Sequence, residues 1–184
     1  MLALSVALEG TAPMRILLYP DPDLRRPAEP VARVDTELRR LVRQMFVAMY
    51  DAEGVGLAAV QVGRPLRLFI LNLTGEHEGE TVLINPCLVQ QEGEQVTEEG
   101  CLSLPGVTAK LRRPLKLVVR GYDLDGNEVE LCCQELSARA VGHEMDHLDG
   151  QLIVDRMGPA ARIGNRPRLK ELEDSYRNSA ASVS

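Results

Sequence analysis

Aromatic residues are scarce in this 184-residue chain, at 3%, with no Trp at all, so Leu, Val and Ile must carry the packing. Positive charge is also in short supply. Lys and Arg number 21 against 27 Asp and Glu, and the net charge of −6 argues against broad binding to nucleic acid or to an anionic membrane. Cysteine is limited to Cys87, Cys101, Cys132 and Cys133, with no CxxC pair. Small secreted scaffolds are far denser in cysteine, so reduced thiols in a cytoplasmic compartment are expected. Long apolar runs are missing too. Residues 1–13 have no basic start and only short apolar stretches, so neither a signal peptide nor a membrane span is expected there. They read as a disordered, dispensable N-terminal extension ahead of Met14-Arg15-Ile16-Leu17. No internal repeat, low-complexity tract or linker divides the rest, and the length suits one domain.

What is present has ordinary globular proportions, 45% apolar and 26% charged. Pro20, Pro22, Pro27 and Pro30 keep the early segment extended or turning. Asp35 is then placed to cap a helix. Leu38, Leu41, Val42, Met45, Phe46 and Met49 follow at the spacing of one buried face, and Gly54 is the expected stop. Strands are predicted over 66–73, 81–85, 115–122 and 128–132, with Asp125-Gly126 as a hairpin signal. A second helix is predicted over 136–148, closed by Asp149-Gly150. Helix, antiparallel strands, then helix point to an α+β fold in which antiparallel sheets pack around a central helix. Residues 161–184 are expected to form a polar tail or a short helix. For Arg162, Arg166, Arg168 and Lys170 in that tail, a solvated charged face balanced by Glu171, Glu173 and Asp174 is favoured over contact with RNA.

The segment that carries chemistry is His143-Glu144-Met145-Asp146-His147. Residues four apart on a helix lie one above the other, so both imidazoles point to one side and can share a metal, while the intervening carboxylate can reach the attacking water. The third ligand is left open by this motif. His77 sits in a polar loop and reads as a surface residue, and Asp149, Asp155, Glu171 and Glu173 have no suggestive surroundings. Cys101, in Glu98-Glu99-Gly100-Cys101-Leu102-Ser103, is the better candidate, because a Cys/His/His set leaves one metal position open. Gly100 beside it permits close backbone approach. A third element, Gly54-Val55-Gly56-Leu57-Ala58-Ala59-Val60-Gln61, makes a thin wall for an extended peptide, with Gln61 able to donate to a developing oxyanion.

The triple GVGLAAVQ (54–61), EGCLS (99–103) and HEMDH (143–147), in this order, resembles the three signature segments of the peptide deformylases. RILLYPDPDLR (15–25), INP (84–86) and HLDG (147–150) extend the likeness over about residues 14–157. The resemblance implies a single catalytic domain over 14–160 that removes the formyl group from the N-terminal formylmethionine of new polypeptides. It implies that Cys101, His143 and His147 ligate one divalent metal, most often Fe²⁺ in that family, with Zn²⁺, Ni²⁺ or Co²⁺ as substitutes. Glu144 would be general base and acid, and Gln61 and the Leu102 N–H would hold the formyl oxygen. The Gly56 backbone would pair with the substrate, while Val55, Leu136 and Ala140 would help line the methionine pocket. Glu99 and Gly100 would support the site. The implied partners are N-formylmethionyl peptides and nascent chains at the ribosome, without membrane or direct nucleic-acid contact. One residue departs from the pattern: Gly142 stands where the family usually has glutamine, removing a side chain that could steady the site. Two rival readings are a general HExxH zinc endopeptidase and a deformylase-like binding protein that has lost activity.

Overall fold

The computed structural model describes residues 14–181; the N-terminal extension expected over 1–13 lies outside them. Helix α1 spans Thr36–Asp51, and the Asp35 carboxylate caps it by accepting the Leu38 N–H at 2.9 Å. Its stripe of Leu38, Leu41, Val42, Met45, Phe46 and Met49 is buried, as the periodicity predicts. The helix ends at Asp51, three residues before Gly54. The chain then turns through Glu53 at φ 55°, and the Gly54 N–H returns to the Met49 carbonyl at 2.8 Å.

Seven strands follow: β1 (Gly56–Ala58), β2 (Leu68–Leu71), β3 (Thr81–Glu92), β4 (Gln95–Gly100), β5 (Thr108–Arg113), β6 (Lys116–Tyr122) and β7 (Glu128–Gln134). All pairings are antiparallel. One sheet has the order β1-β2-β3-β6-β7, and β4 and β5 make a second, two-stranded sheet. The third strand runs well past the expected 81–85. Asn85 adopts φ 53° and the register shifts between Ile84 and Cys87, so the strand steps around Pro86, which has no N–H to donate, and resumes. The strands β1, β4 and β5 were not anticipated, because a Gly/Ala segment and two largely polar ones carry little apolar signal.

Helix α2 spans Leu136–Leu148, with Gly150 supplying the positive φ just beyond its end. It packs against β1, β2 and β7 of the large sheet and β5 of the small one, so it lies between the two. A short helix α3 (Ile153–Arg156) leads into α4 (Pro159–Ala181). The fourth helix lies against β5. Leu172 is buried and Leu169 partly so, in a cluster with Leu104, Val107 and Leu111, while Arg168 Nε donates to the Pro105 carbonyl at 2.8 Å. None of the described helices is long and apolar enough to cross a membrane.

Candidate metal centre and cleft

Helix α2 brings its polar stripe to the gap between the sheets. His143 and His147 present their Nε2 atoms 3.2 Å apart, and Cys101, one residue beyond β4, brings its Sγ to 3.2 Å from His147 Nε2. All three donor atoms lie within 4.8 Å of one another. A tetrahedral cation with nitrogen ligands at 2.0–2.1 Å and sulfur at 2.3 Å holds its donors about 3.3–3.6 Å apart, so this spacing suits one ion.

The surroundings fit a cation as well. His147 is buried, its Nδ1 finds no partner among the described residues, and burial pushes its pKa well below the usual value, leaving a neutral imidazole with a free lone pair. Burial also pushes His143 down, but hydrogen bonding to Cys101 and Glu99, with the electrostatic pull of Cys101 and Glu144, more than offsets this and carries it to about 10. An environment that holds a proton so firmly favours positive charge generally. Glu99 Oε2 lies 3.1 Å from His143 Nδ1, leaving the other ring nitrogen to face the centre.

Glu99 is itself held. Arg113, buried on β5, forks onto it with bonds of 2.8 and 2.9 Å, and Nη1 reaches Asp146 at 2.6 Å and the Gly142 carbonyl at 3.1 Å. Asp146 takes a second guanidinium from Arg156 on α3. Burial would raise the Glu99 pKa, yet the bonds from His143 and Arg113 bring it down to about 2. Arg113, Asp146 and Arg156 were missed by sequence reasoning. Asp146 sits inside the HEMDH motif, but neither it nor the Arg112-Arg113 pair carries a local pattern that distinguishes a buried ion from a surface one.

Glu144 is buried beside the histidines, and its Oε2 has no partner among the described residues. Burial is the main cause that lifts its pKa to about 7, opposed by the positive charges of His143 and Arg113. The carboxylate lies directly over Gly56: a Cβ there would collide with Glu144 Oε1 and would sit 2.9 Å from Leu71 Cδ2, so any side chain at this position must displace the carboxylate. Gln61 is oriented by its neighbours. Its Oε1 accepts the Ala58 N–H at 2.8 Å, which turns Nε2 toward Ser103 Oγ at 3.1 Å and Cys101 Sγ at 3.7 Å. The Leu102 N–H donates to no acceptor among the described residues. The early extended segment braces this wall from behind, with Leu17 N–H on the Gln61 carbonyl and Tyr19 N–H on the Ser103 carbonyl.

These groups face a cleft of about 360 Å³. Val55, Gly56, Gln61, Glu99, Gly100, Cys101, Leu102, Leu136, Ala140, His143 and Glu144 all line it, so the structure brings together the sequence-derived candidates, with His147 buried behind them. Gly54, the first residue of the expected thin wall, lines it too, and Glu53, Glu98 and Arg139, for which no site role was expected, complete the lining. His77 stays outside, in an exposed turn beside Glu80. Cys87 and Cys132 are exposed, and Cys133 is buried away from the cleft.

The backbone at Gly142 has room for a side-chain carbon. A Cβ there would meet Arg113 and Leu117 only at 3.7–3.9 Å, ordinary contact distances. Glycine inside a helix costs about 1 kcal/mol relative to alanine. Gly142→Ala is therefore expected to stabilise the fold by about 0.5–1 kcal/mol, readable as a higher midpoint in urea denaturation.

The sequence profile of the polypeptide deformylases matches residues 13–162. A peptide deformylase from Acidobacterium capsulatum is 47% identical over 160 residues, covering 86% of this chain and 94% of its own. One from Rhodopirellula baltica is 40% identical over 166 residues, covering 89% and 83%. Among solved structures, a Plasmodium falciparum peptide deformylase superposes with a TM-score of 0.86 at 38% identity, covering 89% of this chain and 98% of that one. One from Legionella pneumophila gives 0.84 at 39%, covering 90% and 98%.

Proposed function

The chain belongs to the polypeptide deformylase family, and from that premise we propose that it hydrolyses the formyl amide at the N-terminal formylmethionine of newly made polypeptides, releasing formate. What supports the reading is the convergence of Cys101, His143 and His147 on one point, with the buried carboxylate of Glu144 alongside and both opening on one cleft. The catalytic domain is taken as residues 14–160.

Cys101, His143 and His147 would hold the divalent ion that this family depends on, and that ion supplies Lewis-acid activation of water and of the formyl carbonyl at neutral pH. Fe²⁺ is the proposed native metal, with Zn²⁺, Ni²⁺ and Co²⁺ as substitutes. A thiolate donates more charge than a carboxylate, so metal identity should alter the rate strongly. Glu144 takes the proton from the attacking water on its free Oε2 and passes it to the departing amine nitrogen. Gln61 Nε2 and the Leu102 N–H donate to the formyl oxygen as negative charge grows on it, each worth roughly 3–4 kcal/mol by analogy with other oxyanion holes. Glu99 keeps the His143 ring in its ligating orientation.

The peptide has a natural berth. The first strand is an edge of the large sheet and the fourth an edge of the small one, and both border the cleft. An extended chain laid between them can pair its backbone with Gly56, while Val55, Leu136 and Ala140 receive the methionine side chain. The proposed setting is the cytoplasm, with formylated nascent chains as partners at the ribosome and no direct contact with nucleic acid.

The deciding experiment is formate release from a formyl-Met tripeptide by protein loaded anaerobically with Fe²⁺ or Ni²⁺. Turnover is expected on the formylated peptide and not on its acetylated twin, whose methyl crowds the site where the formyl hydrogen fits. No formate from freshly loaded protein would point to a binding protein, and cleavage of internal, unformylated bonds to an endopeptidase.

Two substitutions probe the parts. Cys101→Ala should lose tight metal binding, and full occupancy in that variant by metal analysis would exclude Cys101 as a ligand. Gly56→Ala should push Glu144 off its position. A displacement of about 1 Å costs roughly 10²-fold in rate, to be read as a lower kcat with metal content intact.

A further inference from the structure

The ion pairs behind the metal donors begin at the protein surface. Arg156 closes α3 with its side chain 40% exposed, yet its guanidinium grips the buried carboxylate of Asp146. Its Nε donates to Oδ2 and its Nη2 to Oδ1, so one fork covers both oxygens. Asp146 lies on α2 between the two histidines, one residue before His147. Its Oδ2 also accepts Arg113 Nη1 at 2.6 Å.

Held by Arg113 alone, through a single nitrogen, the Asp146 carboxylate could turn about its last bond. A two-point guanidinium fork removes that freedom. The orientation is then handed inward. With Oδ2 fixed, Nη1 of Arg113 is anchored, and its Nε and Nη2 are aimed at the two oxygens of Glu99. Glu99 Oε2 in turn meets His143 Nδ1 at 3.1 Å. A ligating imidazole is oriented by the group that its other nitrogen meets.

The same short helix carries a second ion pair that serves as a comparison. Arg25 binds Asp155, both about as exposed as Arg156, and touches neither Asp146 nor Arg113. It fastens α3 without entering the chain that leads to His143.

We propose that Arg156 is a positioning residue for the metal centre: its fork on Asp146 seats Arg113 on Glu99, and Glu99 so seated fixes the His143 ring. The inference rests on Cys101, His143 and His147 being the metal ligands.

The test compares the native protein with Arg156→Met, Arg156→Lys and Arg25→Met. Asp146 keeps Arg113 as a partner in every variant, so each should fold, and thermal unfolding of the metal-free proteins checks this. Co²⁺ affinity is measured by competition with a chelator, and the visible absorption of bound Co²⁺ reports the geometry of its ligands. Outer partners of metal ligands are worth about 10–100-fold in affinity, so Arg156→Met should bind Co²⁺ at least about tenfold more weakly. Its absorption bands should shift, and with saturating metal kcat on formyl-Met tripeptide should fall while KM holds. Arg156→Lys has charge without the fork and should recover only part of the loss. Arg25→Met should match the native protein in affinity and spectrum. An affinity in Arg156→Met within about threefold of native overturns the proposal. Equal losses in Arg25→Met and Arg156→Met also overturn it, because loosening of α3 would then be responsible. Affinity and spectrum are read on Co²⁺ alone. Failure of the native protein to release formate from formyl-Met peptide is therefore a separate result, which removes the deformylase reading itself.

Discussion

Glu144→Gln is expected to keep its metal and lose most of its turnover. The three donors are untouched, and an amide of the same shape still fits over Gly56, so metal content and fold should match the native protein. What disappears is the carboxylate proposed to take a proton from water and hand it to the leaving nitrogen. Positioned acid–base groups contribute about 10²–10⁴-fold, and a loss in the upper part of that range is expected because one carboxylate serves both steps. Metal analysis and formate release on the same preparation make the check. Retention of a tenth or more of the native kcat would remove Glu144 from the role assigned to it.

Arg113→Met should produce the largest loss of stability. The guanidinium is buried and compensates Glu99 and Asp146 at once. Removing one partner of a buried ion pair costs about 3–5 kcal/mol, because the remaining charge stays in the interior uncompensated. The Glu99 pKa gives the same scale. Against burial, which would raise it, the bonds from His143 and Arg113 hold the group at about 2 where 4.5 is usual. A shift of that size corresponds to about 3 kcal/mol. A depressed carboxylate stabilises the fold fully above its unfolded pKa and loses that contribution as pH falls through the folded one. Urea denaturation should therefore show the gap between native and variant protein widest at neutral pH and narrowing as pH drops from about 4.5 toward 2. Arg113→Lys keeps the charge but not the fork, and should recover only part of the difference. A gap below about 1 kcal/mol at neutral pH would show that the pair is not the brace described here.

Much of the fold is legible locally. Asp35 and the stripe behind it give α1 from its cap onward, and the residues from Leu136 to Asp149-Gly150 give α2 at the bounds observed. Both follow from short-range physics, namely capping and 3.6-residue periodicity. The strands that escaped notice are those where burial comes from outside the segment. In β1, Gly56–Ala58 has no strong β-formers and becomes a strand because β2 pairs with it and Glu144 lies over it. The fourth and fifth strands are mostly polar and pair only with each other, and Glu99 and Arg113 are buried there because each satisfies the other.

The divide between sequence and structure falls within the centre itself. Sequence alone singled out the side chains proposed for the chemistry, because His143, Glu144 and His147 are related by helical spacing and the three motifs name their companions. Only the tertiary structure decided how those groups are tuned. The chain of ion pairs from exposed Arg156 through Asp146 and Arg113 to buried Glu99 joins residues on four separate elements. So does the clearance over Gly56, which admits the Glu144 carboxylate. Burial and charge pairing are properties of neighbours brought together across long stretches of chain, and no local pattern encodes who those neighbours will be.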